Sequence, residues 1–140
     1  MEEAKRCFTR SLVLTQKMID LFIDVLNELE IEVIVAPYEA DAQMAYMVQQ
    51  GLADFAISED SDLIAYGCPK ILMKLSIAGT CEEFRFDQFY EAKTSSKEIK
   101  ILQDLPKREF VLACVMAGCE YLKNIERVGL KVALKLYEKH

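Results

Sequence analysis

The stretch IVAPYEADAQMAYMVQQGLADFAISEDSD, Ile34–Asp62, decides the fold because it holds two apolar runs that are each followed by acidic residues. Glu32–Ala36 is rich in β-branched residues and Ala53–Ser58 is apolar at its centre, so both are predicted to be buried strands of a parallel sheet. Parallel strands of an open α/β sheet bring the residues that follow them to the same edge, where ligands bind. We therefore expect the acids after the two strands to converge.

The acids at this edge come in two groups, one after each predicted strand: Glu39 and Asp41, then Glu59, Asp60 and Asp62. Two carboxylates ~4 Å apart repel each other by roughly 4 kcal/mol at an effective dielectric constant of ~20. Such a group must be diluted by water, be partly protonated or bind cations. Because a set of oxygen ligands favours hard ions such as Mg²⁺ or Mn²⁺, the residues predict a divalent-metal phosphodiesterase site.

Each acidic group also has a simpler interpretation when it is taken alone. Glu39 and Asp41 begin a predicted helix, Tyr38–Gln50, where carboxylates are stabilised by the helix dipole. Two residues apart on a regular helix they would point in different directions, so both reach one metal only if Glu39 precedes the helix. Asp60 and Asp62 share a face if the backbone stays extended; the alternative for this run is a polar turn with Asx-type hydrogen bonds.

The composition indicates one globular domain and excludes several classes of function. The chain has 140 residues, 52% of them hydrophobic, and a net charge of −6, which argues against binding of nucleic acid through overall surface charge. Five irregularly spaced cysteines without a C-x-x-C motif predict reduced thiols rather than a zinc knuckle or disulfide scaffold. The only histidine is His140, which argues against a histidine-dependent triad. No membrane span or signal peptide is expected.

The remaining elements are predicted from periodicity and from turn residues. A long helix covers Glu2–Glu30, with Thr9 or Ser11 as possible starts of a new segment. The buried positions predicted on the Tyr38–Gln50 helix are Ala42, Ala45, Tyr46 and Val48. Further predicted elements are a hairpin of Ile71–Leu75 and Cys81–Phe86, a helix from Pro106 to about Ala117 that Gly118 ends, and a final helix, Leu130–Glu138. Glu98–Leu105 is ambiguous.

Five sequence blocks together resemble the flap endonuclease and exonuclease 1 family of structure-specific nucleases. The blocks are EAKRCFTRS at 3–11, VAPYEADAQMAY at 35–46, EDSDLIAYGC at 59–68, AGCEYL at 117–122 and VGLKVALKL at 128–136. The resemblance covers essentially the whole chain. It implies a PIN-like, Rossmann-like α/β fold with a mostly parallel sheet, followed by a helix–two-turn–helix DNA-binding unit. Residues 1–105 would belong to the nuclease core, with an XPG I-region at about 31–105, and 106–140 to the helix-hairpin.

The resemblance also implies a Mg²⁺-dependent nuclease of DNA repair. The family uses two Mg²⁺ ions, for which Mn²⁺ can substitute, to cleave DNA near 5′ ends, flaps, and nicked or recessed duplexes. The implied metal ligands are Glu39, Asp41, Asp60, Asp62 and Glu120, of which the first four are the implied catalytic residues; Glu59 is not expected to ligate. The implied DNA contacts are Arg6, Arg10, Arg127, Gly129 and Lys131. A K⁺ ion in the helix-hairpin turn, mismatch-repair proteins as partners and a nuclear location are further implications.

Three departures from the family pattern affect these expectations. The family domain has an upstream strand with a metal-binding Asp and a further Asp, neither of which the sequence contains. Glu120 stands in place of Asp, and Arg127 in place of a turn glycine. We therefore expect this chain alone to cleave DNA weakly or not at all. The alternative is a catalytically impaired DNA-junction-binding or interaction module; a PIN-type ribonuclease is disfavoured by the first and last of the matching blocks.

Overall fold

A computed structural model of the chain describes residues 13–119, 121–122 and 125–137, in two compact units, Met1–Pro37 and Tyr38–His140. The first unit contains helix α1, Gln16–Glu28. Thr15 is its N-cap, and the Thr15 hydroxyl accepts a hydrogen bond from Met18 N at 3.4 Å. Residues 13–15 are not helical, so the described helix begins after a threonine cap. The part of the predicted helix before residue 13, with Thr9 and Ser11 as possible starts, lies outside the described residues. The predicted domain boundary at 105/106 stays a prediction.

The strand predicted at Glu32–Ala36 is wrong. Residues 31–36 have no regular secondary structure, and Ile34 and Val35 are exposed. A strand exists only where a neighbouring strand accepts and donates its backbone hydrogen bonds, and in the part of the chain that the structure describes no strand pairs with this segment. β-branched composition supplied the propensity for a strand but could not supply a partner.

The second unit is built around a three-stranded sheet with the order β1-β2-β3. Strand β1 (Ala56–Ile57) pairs parallel with β2 (Lys70–Met73), and β2 pairs antiparallel with β3 (Glu82–Arg85). The predicted hairpin is confirmed, and the described sheet is mixed rather than mostly parallel. Strand β1 is shorter than predicted because Ala53 N still donates to Met47 O in the preceding helix.

Helices α2 (Ala40–Gln49) and α3 (Asp62–Ala65) pack on this sheet and position the acids. Their apolar side chains join the strands in one core, which consists of Ala45, Val48, Ala56, Leu63, Cys68 and Ile71. Leu63 is fully buried although it directly follows the exposed Asp62. The prediction that Tyr46 is buried is wrong: its side chain is 53% exposed, because it lies ~100° around the helix from Ala45.

Within the described ranges, four helices follow the sheet: α4 (Phe86–Phe89), α5 (Lys97–Asp104), α6 (Lys107–Ala117) and α7 (Leu130–Tyr137). Pro106 precedes α6 and Gly118 ends it with a φ of 135°, which confirms both sequence signals. Helices α6 and α7 pack against each other, with four buried residues between them and their neighbours: Phe110, Ala113, Ala133 and Leu134. No helix in the described ranges is long and apolar enough to cross a membrane.

The ambiguous segment Glu98–Leu105 is helical because Ser96 caps it. The Ser96 hydroxyl accepts from Ile99 N at 3.4 Å and donates to Glu98 Oε2 at 3.1 Å. Lys131 of α7 places its Nζ 3.0 Å from Glu98 Oε1. The backbone N–H of Glu98, followed by Lys131 and Ser96, lowers the pKa of Glu98 to about 2. The first turn of α5 is thus tied to the first turn of α7.

We expect the Glu98 carboxyl to titrate with a pKa of about 2 in the folded chain. Because the folded-state pKa is lower than the unfolded-state pKa, the contact of Glu98 with Lys131 stabilises the fold at pH values above the ordinary glutamate pKa. This stabilisation is lost as the pH falls toward the folded-state pKa. Carbon-13 NMR titration of the Glu98 carboxyl measures it, and Lys131→Met should raise the midpoint. A midpoint at the ordinary glutamate value in the unmodified chain would contradict the expectation.

Candidate metal and nucleic-acid site

The first acidic group lies where α2 begins. Glu39 occupies the N-cap position with extended backbone, φ −104° and ψ 136°, and Asp41 lies in the first helical turn. Glu39 therefore precedes the regular helix, which is the condition under which both carboxylates can face one site. The Glu39 side chain makes no capping hydrogen bond, so its carboxylate is not engaged by the helix that it precedes.

The second acidic group forms a turn between β1 and α3. The Ser58 hydroxyl accepts from Asp60 N at 3.0 Å, and Asp60 Oδ1 accepts from Asp62 N at 2.9 Å. Ser61 has helical dihedrals, and Asp62 is the first residue of α3. The backbone is therefore not extended between Asp60 and Asp62, since short polar side chains satisfy its N–H groups locally. The turn fixes the orientation of the Asp60 carboxylate.

Glu59 is oriented differently from the other acids of this turn. Its Oε1 accepts a hydrogen bond from the backbone N of Lys74, just beyond β2. The Lys74 ammonium in turn pairs with Glu82 at 2.8 Å. Glu59 thus links the turn to the sheet; that it is not a ligand stays a prediction.

Asp60, Asp62 and Glu39 lie near Asp41, and we call Glu39, Asp41, Asp60 and Asp62 the acid cluster. Their role as metal ligands stays a prediction. Burial raises the pKa of Asp41, and the negative charges of Asp60, Asp62 and Glu39 raise it further. Carboxylates from two segments about twenty residues apart therefore lie close enough to repel one another. A bound cation would relieve this repulsion.

The acid cluster fits a hard divalent cation in donor type and in charge. Nevertheless, no three His, Cys, Asp or Glu side chains within the described ranges stand where they could hold one ion together. Both observations hold, because charge repulsion acts over longer distances than metal–oxygen bonds of ~2.0–2.6 Å. The carboxylates are near each other without being closed around one point. Glu120, the fifth expected ligand, lies outside the described residues, as do Arg6 and Arg10.

Two tyrosines beside the acid cluster were not singled out from the sequence. Tyr66 follows Asp62 by one helical turn, and its hydroxyl lies 2.9 Å from the hydroxyl of Tyr121. This hydrogen bond, followed by burial and by the charges of Tyr121, Glu39 and Asp62, raises the pKa of Tyr66. The spacing of four residues from Asp62 is the sequence signal that could have identified Tyr66; nothing in the sequence indicates its partner.

The predicted DNA contacts at the start of α7 are in three different environments. Arg127 is exposed with a left-handed φ of 63°. The Gly129 carbonyl accepts from Val132 N and Ala133 N, and a Cβ added at Gly129 would meet nothing within 4 Å. The ammonium of Lys131 pairs with Glu98. The space beside Gly129 is therefore open, whereas the charge of Lys131 is already partly compensated.

Arg127→Gly is expected to stabilise the fold by about 0.5–1 kcal/mol. A left-handed conformation costs a non-glycine residue roughly 1–2 kcal/mol, and the greater freedom of glycine in the unfolded chain offsets roughly half of that gain. Urea unfolding followed by circular dichroism measures the difference. Arg127→Ala is the control, because it removes the same charge and keeps the strain. A glycine variant that is less stable than the alanine variant would contradict this prediction.

Comparison with known proteins decides the family. The model of the XPG I-region family matches residues 30–120. This chain belongs to the XPG I-region family. Exonuclease 1 of Xenopus laevis is 36% identical over 97% of this chain, and the DNA damage-inducible protein DIN7 of Saccharomyces cerevisiae is 35% identical over 98%. The XPG I-region chain spans only 18% and 31% of the lengths of these two relatives.

Solved structures confirm the fold class. Flap endonuclease-1 from Methanococcus jannaschii superposes with a TM-score of 0.73 at 24% identity, covering 99% of this chain and 41% of that protein. The catalytic core of Rad2 in complex with a DNA substrate gives a TM-score of 0.70 at 23% identity, with coverages of 99% and 41%. A junction-resolving enzyme GEN-1 with bound potassium gives 0.64 at 26%, with coverages of 89% and 30%. The XPG I-region chain thus has the PIN-like α/β nuclease fold.

Proposed function

We propose that this chain forms part of the catalytic core of a Mg²⁺-dependent 5′ nuclease that acts on DNA in repair. The observation that carries the proposal is the convergence of the acid cluster where α2 and α3 begin. In this proposal, Glu39, Asp41, Asp60 and Asp62 hold two Mg²⁺ ions, with Mn²⁺ as a substitute, and Glu120 completes the set. When bound, such ions supply water activation and charge stabilisation at a phosphodiester.

In this scheme, other groups of the chain hold the carboxylates of the acid cluster in place and orient them. The Asp60 carboxylate is kept in place by its hydrogen bond to Asp62 N. Leu63 anchors α3, and with it Asp62, in the core. In this proposal, small rotations of the carboxylates, of which Asp60 and Asp62 are exposed and Glu39 and Asp41 half-buried, would bring them from mutual repulsion to ligation. The acid cluster itself repels phosphate, so productive approach of DNA depends on the compensating cations.

The DNA-binding part of the proposal concerns the start of α7. Backbone N–H groups at a helix N-terminus bind phosphate, and a Cβ added at Gly129 would meet nothing within 4 Å. Arg127 and Lys131 flank this point, and Arg6 and Arg10 are proposed as further contacts. The proposed substrates are 5′ ends, flaps, and nicked or recessed duplexes; one structural relative is named a flap endonuclease. A K⁺ ion in the helix-hairpin turn is also proposed, and another structural relative is described with bound potassium. A nuclear location and mismatch-repair partners belong to the same proposal.

A second candidate is a DNA-junction-binding or interaction module that has lost catalysis. It is favoured by Glu120 in place of Asp and by the fact that, within the described ranges, the carboxylates are not closed around one ion. Shortening of bound DNA in Mg²⁺ would exclude this second candidate.

The test measures binding of a 5′-recessed duplex by fluorescence anisotropy, in EDTA and in Mg²⁺ at equal ionic strength. We expect roughly tenfold tighter binding with Mg²⁺, about 1.4 kcal/mol, and no such gain for Asp41→Asn. Equal affinity in both buffers would overturn the proposal. Gel analysis of the Mg²⁺ samples then tests for the nuclease: slow shortening from the 5′ end that Asp41→Asn abolishes supports it and excludes the binding module.

A further inference from the structure

The hydroxyl pair of Tyr66 and Tyr121, which we call the tyrosine pair, joins two segments that are 55 residues apart in the chain. Tyr66 is the C-cap of α3, and its backbone N donates to Asp62 O at 3.0 Å. Tyr121 lies in the turn that follows α6. One partner is thus fixed to the helix that begins with Asp62, and the other directly follows Glu120 in the sequence.

The helices behind the tyrosine pair are incompletely packed. A cavity of about 240 Å³ lies between α3 and α6, and a second of about 300 Å³ adjoins it. The two cavities share four lining residues: Asp62, Ala65, Cys114 and Gly118. The contact between α3 and α6 is therefore only partly filled by side chains.

The turn itself is short and well defined. Gly118 ends α6 with a φ of 135°, and Cys119 forms an isolated antiparallel bridge with Leu122. Tyr121 lies between the two bridged residues in the sequence, so the hydrogen bond of its hydroxyl connects this turn to α3. The tyrosine pair is consequently a hydrogen bond that joins this turn to the helix that begins with Asp62.

We propose that Tyr66 and Tyr121 are positioning residues of the metal site: their hydrogen bond holds α3, the helix that begins with Asp62, against the turn after α6. This inference rests on the proposed function, since it concerns the same metal site. The tyrosines touch neither substrate nor metal in this scheme. They act by reducing the range of positions from which α3 can present Asp62, so that less conformational freedom is lost when a cation binds.

The test is Mn²⁺ affinity, measured by isothermal titration calorimetry on the whole chain. Tyr66→Phe and Tyr121→Phe each remove one hydroxyl and keep the ring. Each is expected to weaken Mn²⁺ binding by about 3- to 10-fold, and the double variant by no more than either single variant, because all three break one hydrogen bond. Tyr46→Phe is the control, because the Tyr46 hydroxyl makes no hydrogen bond with the described part of the chain; its Mn²⁺ affinity should equal that of the unmodified chain.

Amide hydrogen exchange provides a second measurement that does not depend on metal. Tyr66→Phe should accelerate exchange at Cys119 and Leu122, more than fifty residues away, without changing the unfolding midpoint by more than the control does. Faster exchange with unchanged Mn²⁺ affinity would overturn the positioning role and leave a purely structural tie. A double variant whose loss of Mn²⁺ affinity equals the sum of the two single losses would also overturn the positioning role. Failure of the unmodified chain to bind Mn²⁺ would refute the proposed function itself, and the inference with it.

Discussion

Replacing both Asp60 and Asp62 by asparagine is expected to weaken Mg²⁺ or Mn²⁺ binding by about 100-fold or more. The double variant removes two of the four charges of the acid cluster, and a pair of unit charges ~4 Å apart is worth ~4 kcal/mol at an effective dielectric constant of ~20. The turn itself should survive, because the side-chain amide oxygen introduced by Asp60→Asn can still accept from the backbone N of residue 62, as Asp60 Oδ1 does at 2.9 Å.

Isothermal titration calorimetry with MnCl₂ measures this effect. Asp54→Asn is the matched control, since it removes a carboxylate from the same unit but lies outside the acid cluster. The control should bind Mn²⁺ like the unmodified chain. Equal metal affinity for the double variant and the unmodified chain would exclude the acid cluster as the metal site.

Leu63→Ala is expected to lower the free energy of unfolding by about 2–4 kcal/mol, the usual cost of removing a buried leucine side chain. Leu63 has no exposed surface and belongs to a core of six buried residues. Since small domains are stable by only ~5–15 kcal/mol, this is a large fraction of the total. Leu63 also anchors the helix that begins with Asp62, so metal affinity should fall as well.

Urea unfolding followed by circular dichroism measures the loss, with Leu52→Ala as the control. Leu52 lies in the same unit, but its side chain is 68% exposed, so the same chemical change should cost less than about 1 kcal/mol. Similar losses in both variants would show that Leu63 is not the anchor of α3.

Local signals in the sequence were sufficient where the structure depends on neighbours in the chain. Pro106 and Gly118 predicted the bounds of α6, and the two runs Ile71–Leu75 and Cys81–Phe86 predicted the hairpin of β2 and β3. Ser96 is likewise a local signal for α5, because its cap is made with Ile99, only three residues away. In each case the decisive hydrogen bonds or dihedral preferences lie within one turn or one hairpin.

Sequence signals were not sufficient where the local structure depended on contacts with residues far away in the chain. The segment Glu32–Ala36 has the composition of a strand, but composition cannot supply the hydrogen bonds of a second strand. Tyr46 has the apolar character of a core residue, yet the face of α2 that packs on the sheet is the one that carries Ala45 and Val48. The Ser58–Asp62 turn could be extended or closed, and its own side-chain hydrogen bonds decided for the closed form.

By itself, the sequence determined the type and order of the acids, the family and the fold class, because these follow from residue chemistry and from motif spacing along the chain. Only the tertiary structure decided which acids repel one another, that Glu59 is tied to the sheet and that Tyr66 meets Tyr121. The physical reason is that charge repulsion and hydrogen bonding depend on distance in space, and the distance between segments twenty to fifty-five residues apart is set by the packing of the whole unit.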